Sequence, residues 1–170
     1  MEYANSGGQF SREFEIATTS LLKSYGFDLT EWTGSKVPPT DRIGGYADVF
    51  IRRSGSYHCG LADTKATSQY ALGHKDILAM EETYCKTYKE IQPDAVLSYC
   101  LYIAGGFKGD IANSLRTLSA RINLPASACY ADAMLAIGKL VEKGWSADDI
   151  EQKLFCSGKA LSIDDIEQTS

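Results

Sequence analysis

The chemistry available to this 170-residue chain centres on Asp48, Asp63 and Lys65. Two carboxylates joined by a backbone carbonyl, here that of Thr64, can hold Mg²⁺ and leave coordination positions for water and phosphate oxygens. A lysine beside them can hydrogen-bond an attacking water and neutralise charge developing on phosphorus. Together these groups are the equipment for metal-assisted phosphodiester hydrolysis. The acid-x-lysine tripeptide is not specific by itself, since Glu151-Gln152-Lys153 repeats it inside a helical pattern with no partner acid upstream. What distinguishes Asp63-Thr64-Lys65 is the structure that the flanking sequence predicts.

Tyr46 to Arg53 and Tyr57 to Lys65 alternate in the manner of strands, and Ser54-Gly55-Ser56 between them is a turn, so the pair forms a β-hairpin. Period-two geometry puts Tyr57, Cys59, Leu61, Asp63 and Lys65 on one face, with the acid and base side by side at the strand end. Asp48 falls on the first hairpin strand, where a carboxylate between Ala47 and Val49 is costly without a partner or metal. Apolar spacing predicts a first helix from Phe10 to Tyr25, stopped at Gly26, and the Pro- and Gly-rich stretch Thr33 to Gly45 reads as a loop. A helix over Ile77 to Ile91, a buried strand over Ala95 to Ala104, a helix over Ile111 to Ile122, a strand over Ser127 to Tyr130 and a helix over Ala131 to Lys143 follow. The alternation implies an α/β fold, a mixed central sheet flanked by helices. Ser146-Ala-Asp-Asp-Ile-Glu-Gln152 recurs as Ser162-Ile-Asp-Asp-Ile-Glu-Gln168, and both copies read as helix starts capped by serine.

With 44% hydrophobic and 23% charged residues the chain has the composition of one soluble globular domain. No apolar run approaches the roughly 18 to 20 residues that a membrane span needs, and Met1 to Gln9 lacks the pattern of a secretion signal, so a cytoplasmic location without membrane attachment is expected. The five cysteines are scattered, odd in number and without a C-x-x-C pair, so they are expected to be free thiols. The net charge of -5 weighs against a polyanionic ligand. Residues 1–75, however, hold eight basic and eight acidic side chains, whereas 131–170 hold four and eight. The acidity therefore lies away from the candidate site, and it predicts a chain that holds DNA poorly alone.

An Asp followed by a hairpin and Asp-x-Lys resembles the PD-(D/E)xK nuclease fold, and a longer stretch resembles the DNA-cleavage domain of FokI and its type IIS relatives. The similar segments are Phe14-Glu15 through Tyr25-Gly26-Phe27, Gly44 to Asp48, Asp63-Thr64-Lys65-Ala66, Gly105-Gly106-Phe107-Lys108-Gly109, Leu115 to Leu118, and Ile137-Gly138 to Lys153-Leu154-Phe155. The resemblance covers roughly Gln9 to Ser157, giving a nuclease domain over 1–157 and a tail or short helix over 158–170. It implies a restriction-endonuclease-like core, metal-binding acids at Asp48 and Asp63, a catalytic lysine at Lys65, and a supporting acid at Glu15, with Glu13 as the alternative. Ala47 stands where the family usually has a proline that supplies no ligand.

The resemblance further implies a Mg²⁺-dependent double-stranded-DNA endonuclease whose single site cuts one strand. A second cut then requires self-association or a partner. The chain starts a few residues before its first helix and has no room for a helix-turn-helix, zinc finger or basic arm. The expectation is a catalytic small subunit of a heterodimeric type IIS restriction enzyme with a large sequence-reading partner, or else an excised cleavage domain. The alternatives are a non-catalytic assembly subunit that kept the fold and a stand-alone structure-selective nuclease. Lys108, Arg52 and Arg53 are further candidates for phosphate contacts, His58 and His74 are assigned no catalytic role, and the segment Asp76 to Ile91 corresponds to a dimerisation helix in the resembling domains.

Overall fold

The structure, a computed structural model, describes residues 10–31 and 47–169. The predicted loop over Thr33 to Gly45 and the start of the first hairpin strand at Tyr46 lie outside them. Helix α1 (Ser11–Ser24) leads into β1 (Phe27–Glu31), and β2 (Val49–Arg53) and β3 (His58–Lys65) form the expected hairpin. A helical segment then runs from α2 (His74–Leu78) through a π-helical stretch, Ala79–Tyr84, into α3 (Cys85–Ile91). The Ile91 side chain is also outside the described residues. Strand β4 (Val96–Ala104), α4 (Ile111–Ile122), β5 (Ala126–Tyr130) and α5 (Ala131–Glu142) follow. The chain ends with α6 (Ala147–Ile150), a π-helical turn over Glu151–Phe155, β6 (Ala160–Leu161) and α7 (Ile163–Gln168).

The six strands lie in chain order, antiparallel from β1 to β3 and parallel from β3 to β6. Alternation divides the interior into two layers. Val49, Ile51, Ala62, Tyr99, Leu101 and Ile103 pack against α1, α5 and the C-terminal helices on one side. Phe50, Cys59, Leu61, Cys100 and Tyr102 meet Ile77, Met80, Leu115 and Leu118 on the other. The mixed α/β sheet read from the sequence is therefore the observed architecture. A bulge between Cys59 and Gly60 sets Gly60 against Tyr99, and a Cβ on Gly60 would sit 2.2 Å from that ring, so the glycine makes room for a fully buried tyrosine. Ser146 and Ser162 each accept a hydrogen bond from the backbone N–H three residues on, from Asp149 and Asp165, and each carboxylate reaches back to its serine, as the repeated motif predicts.

Candidate active site

The carboxyl end of β3 lies beside the start of β2, and this is where the three chemical residues meet. Asp48 is not within a strand, as the alternation suggested, but in the bend one residue before β2. The cause is visible in its hydrogen bonds. Its Oδ2 accepts the Thr64 backbone N–H at 2.7 Å and the Thr64 hydroxyl at 3.0 Å, so a side chain satisfies the sheet donor that a further ladder residue would have taken. Asp63, only 4% exposed, turns both oxygens onto the Lys65 ammonium, at 2.9 and 2.8 Å. Such a charge-assisted pair holds the lysine in one place.

Glu15 reaches the same place from α1. With Ser11, Asp48, Thr64, Lys65 and Thr67 it lines an open cleft of about 430 Å³, while Asp63 lies behind the wall. Glu13, the alternative to Glu15, is exposed on the same helix and is not among the residues lining this cleft. The helix puts Phe14 and Thr18 into the core, which turns Glu15 along the sheet edge.

The electrostatics are those of a site with too little positive charge. Burial pushes the Glu15 carboxyl up to about 7, and the nearby Asp48 charge adds to it against the opposing pull of Lys65 and Arg12. Asp63 is likewise raised to about 7, by burial first, then by Asp48, with Lys65 working the other way; a hydrogen bond with Asp48 also favours its protonated form. Burial disfavours the charge on Lys65, but Asp63 and Asp48 outweigh it and hold the ammonium above its usual range. Among the described residues no three His, Cys, Asp or Glu side chains converge into a ready ligand cluster, because Asp63 is turned onto Lys65. The donor set nevertheless suits a hard divalent cation: the Asp48 and Asp63 carboxylates, the Thr64 carbonyl and Glu15 are all oxygens, and the raised pKa values of Glu15 and Asp63, each pushed up by burial and by the Asp48 charge, register the charge such an ion would relieve.

The remaining candidates separate cleanly. Arg53 is committed elsewhere: its Nη1 is 2.6 Å from Asp148 and its Nε 3.3 Å from the buried Glu151, at the end of the hairpin far from Asp63. That pairing also accounts for the second acid-x-lysine match, since Glu151 belongs to Arg53, and Lys153 to Asp149 at 2.8 Å. His58 is exposed and bonded to Ser98 at 2.9 Å, and His74 is exposed at the start of α2. Lys108 is exposed in its glycine-flanked loop. All five cysteines are free. Sequence reasoning missed two aromatic neighbours of the site. Tyr70 carries its ring under Lys65, and Tyr84 feels the charges of Asp63, Lys65 and Asp48 from the end of the π-helical stretch. Helical periodicity places Tyr84 on the apolar stripe of the Ile77 to Ile91 helix without linking it to the site, and Tyr70 falls in no periodic segment.

The model of the FokI cleavage domain matches residues 1–161. The chain belongs to that family. Solved relatives agree on the fold. Restriction endonuclease FokI superposes with a TM-score of 0.75 at 21% identity over 95% of this chain and 30% of its own, and FokI bound to DNA does so with 0.75 at 20% over 95% and 29%. The small subunit, R.BspD6I2, of the heterodimeric restriction endonuclease R.BspD6I superposes with 0.53 at 17% over 92% of this chain and 84% of its own. The chain thus spans less than a third of FokI. No curated protein sequence matches it significantly. Among the described residues no helix is long and apolar enough to cross a membrane.

Proposed function

We propose that this member of the FokI cleavage-domain family is a Mg²⁺-dependent DNA endonuclease, the catalytic module of a type IIS restriction enzyme. The observation that carries the reading is the meeting of Asp48 and Lys65 in one cleft with the buried Asp63 paired to that lysine, so that the ammonium sits under the charges of both acids. Asp48, Asp63 and the Thr64 carbonyl would hold the ion, with Glu15 assisting. A bound Mg²⁺ supplies Lewis acidity toward the scissile phosphate. Lys65 holds the attacking water by donating from Nζ and offsets the charge that builds on the phosphoryl oxygens. Asp48, through its two bonds to Thr64, fixes the end of β3 so that Asp63 and Lys65 keep their spacing. Water adds to phosphorus, the P–O3′ bond breaks, and the proton ends on the 3′ oxygen, leaving 5′-phosphate and 3′-hydroxyl ends.

One such site cuts one strand. The chain covers most of the R.BspD6I small subunit but under a third of FokI. That supports a small catalytic subunit that relies on a larger sequence-reading partner for affinity and for the second cut, with self-pairing as the other route. The net charge of -5 favours borrowed affinity. Tethering the chain to a DNA-binding domain of known target tests this. With Mg²⁺ the wild type should cut beside the target, and Asp63→Ala or chelation should lower scission by about a hundredfold or more. Unchanged scission by Asp63→Ala would remove the catalytic assignment.

A further inference from the structure

The Gly105-Gly106-Phe107-Lys108-Gly109 motif has no part in the chemistry proposed above, yet its backbone is tied to the segment that follows Lys65. The Gly106 N–H donates to the Thr67 carbonyl at 3.1 Å, the Tyr70 N–H to the Gly106 carbonyl at 2.9 Å, and the Lys108 N–H to the Tyr70 carbonyl at 2.9 Å. The result is a short parallel bridge between Tyr70 and Phe107. The approach is close enough that a Cβ on Gly106 would lie 2.3 Å from the Ser68 carbonyl oxygen. Aromatic packing backs the bridge: Phe107 meets Tyr130 edge-on at 5.1 Å, and Tyr70 lies 6.1 Å from Phe107 and 6.2 Å from Tyr102. The Tyr70 ring ends up 5.8 Å from Lys65 Nζ, within reach of a cation–π contact.

We infer that the Gly106–Lys108 loop is a clamp and that the Tyr70 ring it holds is a positioning residue for the Lys65 ammonium. The physical need is specific. Both Asp63 oxygens lie on Nζ, and a carboxylate that also serves a cation has less to give the lysine. A ring face attracts the ammonium without competing for those lone pairs, and three backbone hydrogen bonds keep it from following the lysine. The catalytic consequence rests on the nuclease reading above; the contact itself does not. The ring's hydroxyl is buried with Asp76 as its polar neighbour, whereas the ammonium lies over the ring, so the ring and not the phenol is the working part.

The test uses the full chain with ¹³C-labelled lysine, free of metal and DNA, in which the ring current of Tyr70 displaces the Lys65 ε-methylene signal, assigned with Lys65→Arg. Tyr70→Leu and Gly106→Ala should move that signal to the position of exposed lysines, and Tyr70→Phe should keep it. In plasmid nicking with Mg²⁺ by the chain tethered to a DNA-binding domain of known target, the first two should lose about tenfold in turnover at unchanged KM, with Tyr70→Phe rescuing, as expected when a group a small distance from its place loses its alignment. A Lys65 signal unmoved by Tyr70→Leu overturns the inference, as does a moved signal with wild-type turnover. If Gly106→Ala does not fold, by thermal unfolding, the two Tyr70 variants decide. If the wild type does not nick even when so tethered, the nuclease reading fails and the signal alone decides whether the ring holds the ammonium.

Discussion

Replacing Asp63 by Asn should stabilise the metal-free chain while abolishing its proposed chemistry. The carboxyl is 4% exposed and its pKa is raised from the ordinary 3.8 to about 7 despite the Lys65 ion pair, so its charge is opposed by its surroundings. A rise of that size corresponds to about 4 kcal/mol in favour of the protonated form, and the lysine left without its partner returns part of it, so a gain of about 2–4 kcal/mol is expected at pH 8. The sign follows from proton linkage. A raised carboxyl contributes stability that is fully present below 3.8 and lost as pH rises through about 7, so the advantage of Asn should be greatest above pH 7, smaller at pH 5 and absent below about 3.8. For a domain of this size 2–4 kcal/mol raises Tm by about 5–12 °C. Calorimetry in chelator at pH 8 and pH 5 measures it. Mg²⁺ should then stabilise the wild type by mass action and leave the Asn variant unmoved, closing the gap. An Asn variant no more stable than wild type at pH 8 would mean that the site holds no uncompensated charge, and the argument for a cation there would lose its electrostatic basis.

Two further outcomes are expected. Glu15→Gln should weaken Mg²⁺ binding, measured by calorimetric titration, by about tenfold, whereas Glu13→Gln on the exposed side of the same helix should leave it unchanged. Gly60→Ala places a methyl into the Tyr99 ring and should cost about 1–3 kcal/mol by denaturant unfolding, relieved when Tyr99→Leu is added.

The hairpin, the sheet class and the Asp63–Lys65 pair were legible because period-two alternation is strong over Tyr57 to Lys65 and because an acid and a base two apart on a strand must share a face. Glu15 came from resemblance alone: nothing in the spacing of α1 separates it from Glu13, and only the packing of Phe14 and Thr18 decides which acid faces the cleft. Strands β1 and β6 escaped notice, the first because Phe27 to Glu31 follows a helix stop with only two apolar residues, the second because two residues carry no period. The helix read as Ile77 to Ile91 begins at His74 and takes a π-helical course over Ala79–Tyr84, which inserts a residue per turn that a 3.6 period cannot express. Arg53 looked free for phosphate because its partners, Asp148 and Glu151, lie far along the chain.

The bridge between Tyr70 and Phe107 has a bearing on the order in which this chain acquires competence. A chain emerging from synthesis carries Glu15, Asp48, Asp63 and Lys65 well before Gly106 exists, and contacts of such sequence separation form late. A nascent or truncated chain ending before β4 therefore holds every acid of the site and neither its parallel neighbour strand nor the brace for its lysine. Such a fragment is chemically furnished but mechanically unassembled, and the fold itself delays the competent site until the sheet beyond it has been made.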